Sequence, residues 1–191
     1  LAGAAERKHP HRCFESRLYP PQPERSGRAE LGLANEMAIN QFIAHHSVIF
    51  QPEKKLMWVS TSPWQCGKYV AYDLNRIFSD SIDFNHEIYT GDLTLPADSF
   101  LQQQEYQQLM AYKRLAPVLR KQIKKKERLD EQTLHAFQHA NPHFFYVYEL
   151  LGDYYHATGQ QDKALRNWKK ALLLPIPKRS ESERIEHKIN N

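Results

Sequence analysis

Two cysteines are the most nucleophilic side chains of this 191-residue sequence. A thiol attacks a carbonyl as its thiolate, which needs a neighbouring base or positive charge to form. Cys13 lies in a stretch that favours a helix, and Cys66 follows Trp64 and Gln65 in an irregular stretch where a small packed side chain is expected. The spacing of the two cysteines leaves open whether they pair. We predict that this chain carries no catalytic residue, since GxSxG, P-loop and GxGxxG motifs are also missing from the sequence.

Histidine is a second reactive residue type, and it is abundant, with ten in the chain. His9 and His11 form one close pair, and His45 and His46 form another. A zinc site needs three or four converging ligands, and neither pair has an apparent third partner. We therefore predict no metal site and no cofactor.

Four residues flank the ends of predicted strands, where loops usually meet a binding site. They are His45, His46, Trp64 and Gln65. We predict that they form the wall of a substrate pocket. A structural role is the alternative, with Trp64 packed over the sheet and the histidines hydrogen-bonded at its edge.

Positive charge is concentrated in the second half of the chain. The formal net charge is +4, and eight Lys or Arg occur between positions 113 and 128. Such a cluster can follow phosphates, but it is also typical of a solvated helix face. The acidic residues Glu105, Glu127, Asp130 and Glu131 lie close by and would weaken the cluster. We do not expect nucleic acid to be a partner.

The composition is typical of a globular domain, with 41% hydrophobic and 25% charged residues. It excludes collagen-like and wholly disordered chains, and no apolar run is long enough to span a membrane. The chain begins with Leu1 and no signal-peptide pattern follows, so we expect a processed chain or part of a longer protein. The compartment is not indicated.

Three regions follow one another along the chain. Residues 1–34 are polar and rich in proline, with a helix expected near Cys13. Residues 35–97 form the β part, with strands at 46–50, 56–60 and 69–74, the first two joined as an antiparallel hairpin. Residues 79–97 are expected to be a connector. Three strands make a poor core, so the sheet looks like the end of a larger one.

Residues 98–191 are predicted to be helical. The first helix follows a cap at Asp98 or Ser99, and Pro117 inside it is expected to cause a kink or a break. Asp130 is expected to cap a second helix that ends near residue 140. Asn141 is expected to cap a third.

The last part of the chain resembles a tetratricopeptide unit at about residues 145–176. Small residues stand where two antiparallel helices would approach, and aromatic residues would fill the space between them. The positions of the repeat pattern are Tyr148, Leu151, Gly152, Tyr155, Ala164, Trp168 and Ala171. Gly159 is expected to take a positive φ in the turn between the helices. An ordinary helical hairpin with this spacing by chance is the alternative.

Two segments of the β part carry a further resemblance. They are residues 35–52 (NEMAINQFIAHHSVIFQP) and residues 57–74 (MWVSTSPWQCGKYVAYDL). Together they resemble the C-terminal part of the catalytic domain of penicillin acyltransferase-like proteins, which are autoproteolytic acyltransferases and hydrolases of the N-terminal-nucleophile class. The resemblance covers about residues 28–80.

The resemblance implies an α+β chain that carries the C-terminal remnant of an αββα sandwich, followed by the tetratricopeptide-like segment. It implies cleavage or transfer of an acyl group from an amide or thioester by an N-terminal Cys that this chain lacks. The partners would be the remainder of the catalytic domain, the acyl substrate and a protein bound by the helical tail. We expect this chain to be inactive alone. The alternative is a non-enzymatic helical-repeat interaction module.

Overall fold

The computed structural model describes residues 31, 33–37, 45–79 and 87–190. In these residues the chain has an α+β fold, with one four-stranded antiparallel sheet and six α-helices. Cys13, His9, His11 and the helix predicted within residues 1–34 lie outside the described residues. None of the described helices is long and apolar enough to cross a membrane.

The four strands lie side by side in the sheet in the same order as in the sequence. Strand β1 is Val48–Gln51, β2 is Leu56–Ser60, β3 is Tyr69–Asp73 and β4 is Thr90–Leu95. Each strand pairs antiparallel with its neighbour, so the order is β1-β2-β3-β4. The predicted hairpin of β1 and β2 is confirmed, and its connection is a short 3-10 turn at Pro52–Lys54.

Apolar side chains lie on both faces of this sheet. Ile49 is opposite Trp58, and Trp58 is opposite Ala71, so these three share one face because side chains alternate along a strand. The same face carries Leu56, Tyr69 and Leu95 and forms its own small cluster. The other face carries Val48, Phe50, Met57, Val59, Val70 and Tyr72. Val48 and Phe50 are exposed there.

The prediction of a connector at residues 79–97 is wrong for the second half of this range, because strand β4 lies there. Its sequence, TGDLTL, has a glycine and an aspartate, which disfavour strands. Pairing with β3 provides the backbone partners that override this weak propensity. The carbonyl oxygen of Leu93 also accepts a 2.8 Å hydrogen bond from Nε1 of Trp58, which fastens β4 to the sheet.

Five of the six α-helices occupy the second half of the chain. The short helix α1, Leu74–Ile77, directly follows β3. The others are α2, Gln104–Lys125; α3, Glu131–Ala140; α4, Phe145–Ala157; α5, Gln161–Leu172; and α6, Arg179–Asn190.

Helix α2 continues through Pro117, so of the predicted kink or break the break does not occur. An internal proline removes one hydrogen bond and disfavours a helix by about 3 kcal/mol. Burial of apolar residues before and after Pro117 outweighs this, because Tyr112, Ala116 and Leu119 are all in the core. Asp98 caps a 3-10 turn at Ser99–Gln102, and the α-helix begins after it.

The two other predicted caps differ in outcome. The prediction for α3 is confirmed, since Oδ1 of Asp130 accepts a 2.7 Å hydrogen bond from the amide of Thr133. The prediction for Asn141 is wrong, because α4 begins at Phe145. The Asn141 amide is buried and bonds both the N–H and the carbonyl of Leu33, so it fixes a distant segment and not a helix end.

Helices α4 and α5 form a close hairpin. The turn between them contains Gly159, whose φ of 77° confirms the predicted left-handed residue. Gly152 in α4 lies against the indole of Trp168 in α5, where a methyl group would collide with the ring. The indole Nε1 donates a 3.0 Å hydrogen bond to Oδ1 of Asp153. The close approach of the two helices therefore requires glycine at position 152.

Gly152→Ala should destabilise the folded chain by about 2 kcal/mol, because the indole and the helix backbone must move apart. Urea unfolding followed by circular dichroism measures the change. Gly91→Ala is the matched control, since the atom nearest its added methyl group is Cε2 of Tyr89 at 3.9 Å. Equal unfolding midpoints for the two variants would contradict the close packing.

Candidate functional site

The four predicted pocket residues lie at one end of the sheet. His45 and His46 precede β1, whose start is held against the end of β2 by a 2.7 Å hydrogen bond from the amide of Ser47 to Oγ of Ser60. Trp64 and Gln65 belong to the loop that leaves the same end of β2. Both histidines are exposed, Trp64 is partly buried and Gln65 is buried.

The loop at residues 61–68 joins the sheet to the helices. Trp64 packs against the helical core, and Nζ of Lys113 in α2 lies 3.8 Å from the centre of its ring. Burial lowers the pKa of the Lys113 ammonium group. The carbonyl of Cys66 accepts a 2.8 Å hydrogen bond from the amide of Asp98, just before α2. The expectation that Trp64 would pack over the sheet is therefore wrong.

Cys66 is a packed residue of the helical core. Its side chain is only 3% exposed, whereas a thiol that attacks substrate must be accessible to it. This agrees with the expectation of a small buried side chain at position 66.

Gln65 carries an amide donor that has no acceptor in the described part of the protein. The residue is 7% exposed, and Nε2 is buried without a hydrogen-bond partner there. A buried donor without a partner costs about 1–3 kcal/mol.

The repeat-pattern residues all lie between α4 and α5 or beside them. Tyr148, Leu151, Ala164, Trp168 and Ala171 are buried, and Gly152 contacts Trp168. The hydroxyl group of Tyr148 donates a 3.0 Å hydrogen bond to the carbonyl of Pro142. Tyr155 is half-buried under the ammonium group of Lys163, and burial raises the pKa of its phenol.

A charged network that the sequence did not reveal crosses from α4 to α6. Glu149 is only 2% exposed and accepts two 2.8 Å hydrogen bonds from Arg184, one on each oxygen. Lys188 donates a 2.7 Å bond to Glu149 and bonds both oxygens of Asp153 at 2.8 and 2.9 Å. The sequence did contain one signal for this network, a glutamate inside the apolar run FYVYELLG. A charge buried in such a run requires charged or hydrogen-bonding partners.

The pKa of Glu149 reflects two opposing influences. Burial by itself raises the pKa of the carboxyl group, but the hydrogen bonds and charges of Arg184 and Lys188 outweigh it and hold the pKa below its ordinary value. Glu149 is thus charged near neutral pH, and the network ties α6 to the hairpin.

A groove of about 460 Å³ opens beside this network. Ile123, Ala157 and Trp168 give it apolar walls, and Asp153 and Lys188 are already bonded to each other there. His156 and His187 complete the lining. Most of its charge is neutralised internally, so the groove is suited to apolar or aromatic groups more than to ions.

Metal ligands are sparse in the described residues, where no group of three His, Cys, Asp or Glu could hold an ion. His135 and His139 are one turn apart on α3, with their Nε2 atoms 3.0 Å from each other. Two exposed ligands alone do not make a protein metal site.

Comparisons with protein families, with curated proteins and with solved structures find no significant match to this chain.

Glu149→Gln should lower the free energy of unfolding near neutral pH by about 2 kcal/mol, because it leaves Arg184 and Lys188 without their shared carboxylate. This estimate allows for screening of Arg184, whose side chain is 46% exposed. Since folding lowers the pKa of Glu149, its contribution is complete above the ordinary glutamate pKa of about 4.3 and is lost as the pH falls below it.

Urea unfolding of the wild type and the variant at a series of pH values measures this contribution. The two stability curves should converge as the pH falls. Glu183→Gln is the matched control on α6, because it removes only an exposed pair with Arg179 and should change little. A gap between wild type and Glu149→Gln that stays constant down to acid pH would contradict a charged Glu149.

Proposed function

We propose that this chain is the C-terminal part of an autoproteolytic cysteine acyltransferase or amidohydrolase of the N-terminal-nucleophile class. The observation that carries the proposal is the sheet with apolar side chains on both faces. An antiparallel sheet that has one face in water alternates apolar and polar residues. Strands β1, β2 and β3 do not alternate in this way.

A two-sided apolar sheet is expected as an inner layer of a larger fold. In an αββα sandwich each sheet has helices on one face and the second sheet on the other, so both faces are buried. Phe50 is 53% exposed and Val48 is 37% exposed, both on the face shared by Met57 and Val59. The remainder of the catalytic domain would cover them. The residues of β1, β2 and β3 are also those that carry the family resemblance.

The chemistry would be acyl transfer through a thioester. The thiolate of the N-terminal Cys attacks the carbonyl carbon of an amide or thioester, while its own α-amino group accepts the thiol proton. The tetrahedral intermediate collapses, the leaving amine or thiol takes the proton, and the acyl group stays on sulfur. Water or a second amine then attacks the thioester and restores the thiol.

The contribution of this chain would be structural and substrate-binding. His45, His46, Trp64 and Gln65 lie at one end of the sheet and would form part of the pocket wall. Lys113 holds the Trp64 ring from the helical side.

A non-enzymatic helical-repeat interaction module is the second candidate. Helix α2 packs on α3 and α4, α4 packs on α5, and α5 packs on α6, which is the neighbour pattern of stacked helical pairs. The tetratricopeptide-like unit at about residues 145–176 would be the best-formed repeat, and the groove lined by Trp168 would receive a side chain of a protein partner. Both candidates can be true of one longer protein.

The test is to express the chain with and without its upstream reading frame. We expect the longer protein to cleave itself before a Cys and to hydrolyse small acyl amides, and this chain alone to do neither. Intact mass spectrometry gives the cleavage site, and release of the amine gives the activity. Replacement of that Cys by Ala should abolish both, whereas Cys66→Ala should leave both, since Cys66 is buried in the helical core.

An upstream frame without such a Cys would overturn the enzyme proposal. A longer protein that stays intact and inactive would do the same. If, in addition, this chain is monomeric and fully folded alone, the helical-repeat module becomes the leading candidate.

A further inference from the structure

The outward face of α2 carries a row of cations that the proposed function does not use. Between positions 113 and 128 there are eight Lys or Arg and one acidic residue, Glu127. Lys113 is partly buried at Trp64 and does not belong to the row. The exposed members are Arg114, Arg120, Lys121, Lys124, Lys125, Lys126 and Arg128, here called the α2 basic row.

Most of these cations have no counter-ion within the described residues. Nζ of Lys125 lies 3.6 Å from Oε2 of Glu127, and Lys125 is the one member of the row that has an ion pair with a described residue. Helix α6 of the same chain shows the opposite arrangement, because Arg179, Arg184 and Lys188 are each bonded to a carboxylate. The bare charge of α2 is therefore a local property and not a general feature of the chain.

The row is unfavourable for the isolated helix. Arg120 and Lys124 are four residues apart, as are Lys121 and Lys125, and like charges at this spacing repel by a few tenths of a kcal/mol. The helix dipole favours cations in the last turn, which accounts for Lys124 and Lys125 but not for Arg114 or the pair at 120 and 121.

The acidic neighbours do not neutralise the row. The carboxylate of Asp130 caps α3 through the amide and the hydroxyl group of Thr133. Glu131 lies 3.5 Å from Lys163, on the side of α5. Neither carboxylate forms an ion pair with a cation of the row, because Asp130 bonds Thr133 and Glu131 lies beside Lys163.

The shape and composition of the row favour a flat anionic surface over a nucleic acid. The cations from Arg114 to Lys125 extend about 17 Å along one helix face, and Lys126 and Arg128 follow the end of the helix. Pro117 and Val118 are exposed within the row, where a bilayer interface accepts apolar groups and a phosphate backbone does not. No aromatic side chain belongs to it, although stacking on aromatics is the usual means of holding single-stranded nucleic acid.

We propose that the α2 basic row docks the protein on the surface of an anionic lipid bilayer. The Lys and Arg side chains would lie among the acidic headgroups, and Val118 would touch the interface. Each cation near such a surface strengthens binding by roughly fivefold, and salt weakens it. The proposal concerns a surface contact and is independent of the acyl-transfer proposal.

The experiment is co-sedimentation of the 191-residue chain with lipid vesicles at low and at physiological salt. We expect binding to vesicles of phosphatidylcholine with phosphatidylserine, weaker binding at the higher salt, and little binding to phosphatidylcholine alone. The variant Arg114→Gln/Lys121→Gln should reduce the affinity about 30-fold, since it removes two cations of the row.

The matched control is Arg166→Gln/Lys169→Gln on α5. It removes the same net charge from exposed positions outside the row, and it should bind within about twofold of the wild type. Circular dichroism checks that both variants keep their helices.

Three results would overturn the proposal. One is absence of binding to the anionic vesicles, and another is equal loss in the two variants, which would indicate a response to net charge alone. The third is tighter binding to mixed-sequence duplex DNA than to the anionic vesicles, lost in Arg114→Gln/Lys121→Gln. That outcome would assign the row to nucleic acid.

Discussion

Helix α4 has to be buried around nearly its whole circumference, and the arrangement of the other helices follows from this need. Eight of its residues are buried, from Phe145 to Tyr154. Helices α2, α3 and α5 pack on it. The buried set includes Glu149, whose charge cannot be left without partners in a core. Helix α6 provides them with Arg184 and Lys188, so the last helix is held by charge as well as by its single fully buried apolar residue, Ile185.

The loop at residues 61–68 decides how the sheet is joined to this helical body. The loop connects β2 to β3 within the sheet. Its residues Trp64 and Cys66, however, pack in the core formed by the helices. The same loop carries Gln65, whose buried amide has no acceptor in the described part of the chain. The loop therefore carries two of the four proposed pocket residues and also attaches the sheet to the helices, so a movement of α2 would reach the pocket through Lys113 and Trp64.

Charge serves two different purposes in this protein. In the network of α4 and α6 each cation faces a carboxylate, which fixes one helix against another. On α2 the cations face solvent and repel one another along the helix. The first arrangement stabilises the fold, and the second is available to an external anion. The two occur on neighbouring helices, so composition and net charge alone do not distinguish them.

The sequence by itself determined the features that local patterns encode. The hairpin of β1 and β2, the strand β3, the Asp130 cap and the left-handed Gly159 follow from alternation, capping chemistry and the freedom of glycine, which act over a few residues. The spacing of small and aromatic residues in the sequence also indicated that Gly152 and Trp168 belong to one helical hairpin. In the structure these two residues are in contact. Only the tertiary structure decided the rest. Strand β4 needs β3 as its partner, α2 continues through Pro117 because apolar residues on both sides of the proline are buried, and Asn141 bonds Leu33 from 108 residues away. In each case a contact between distant parts of the chain outweighs the local propensity, and the sequence pattern does not contain the free energy of that contact.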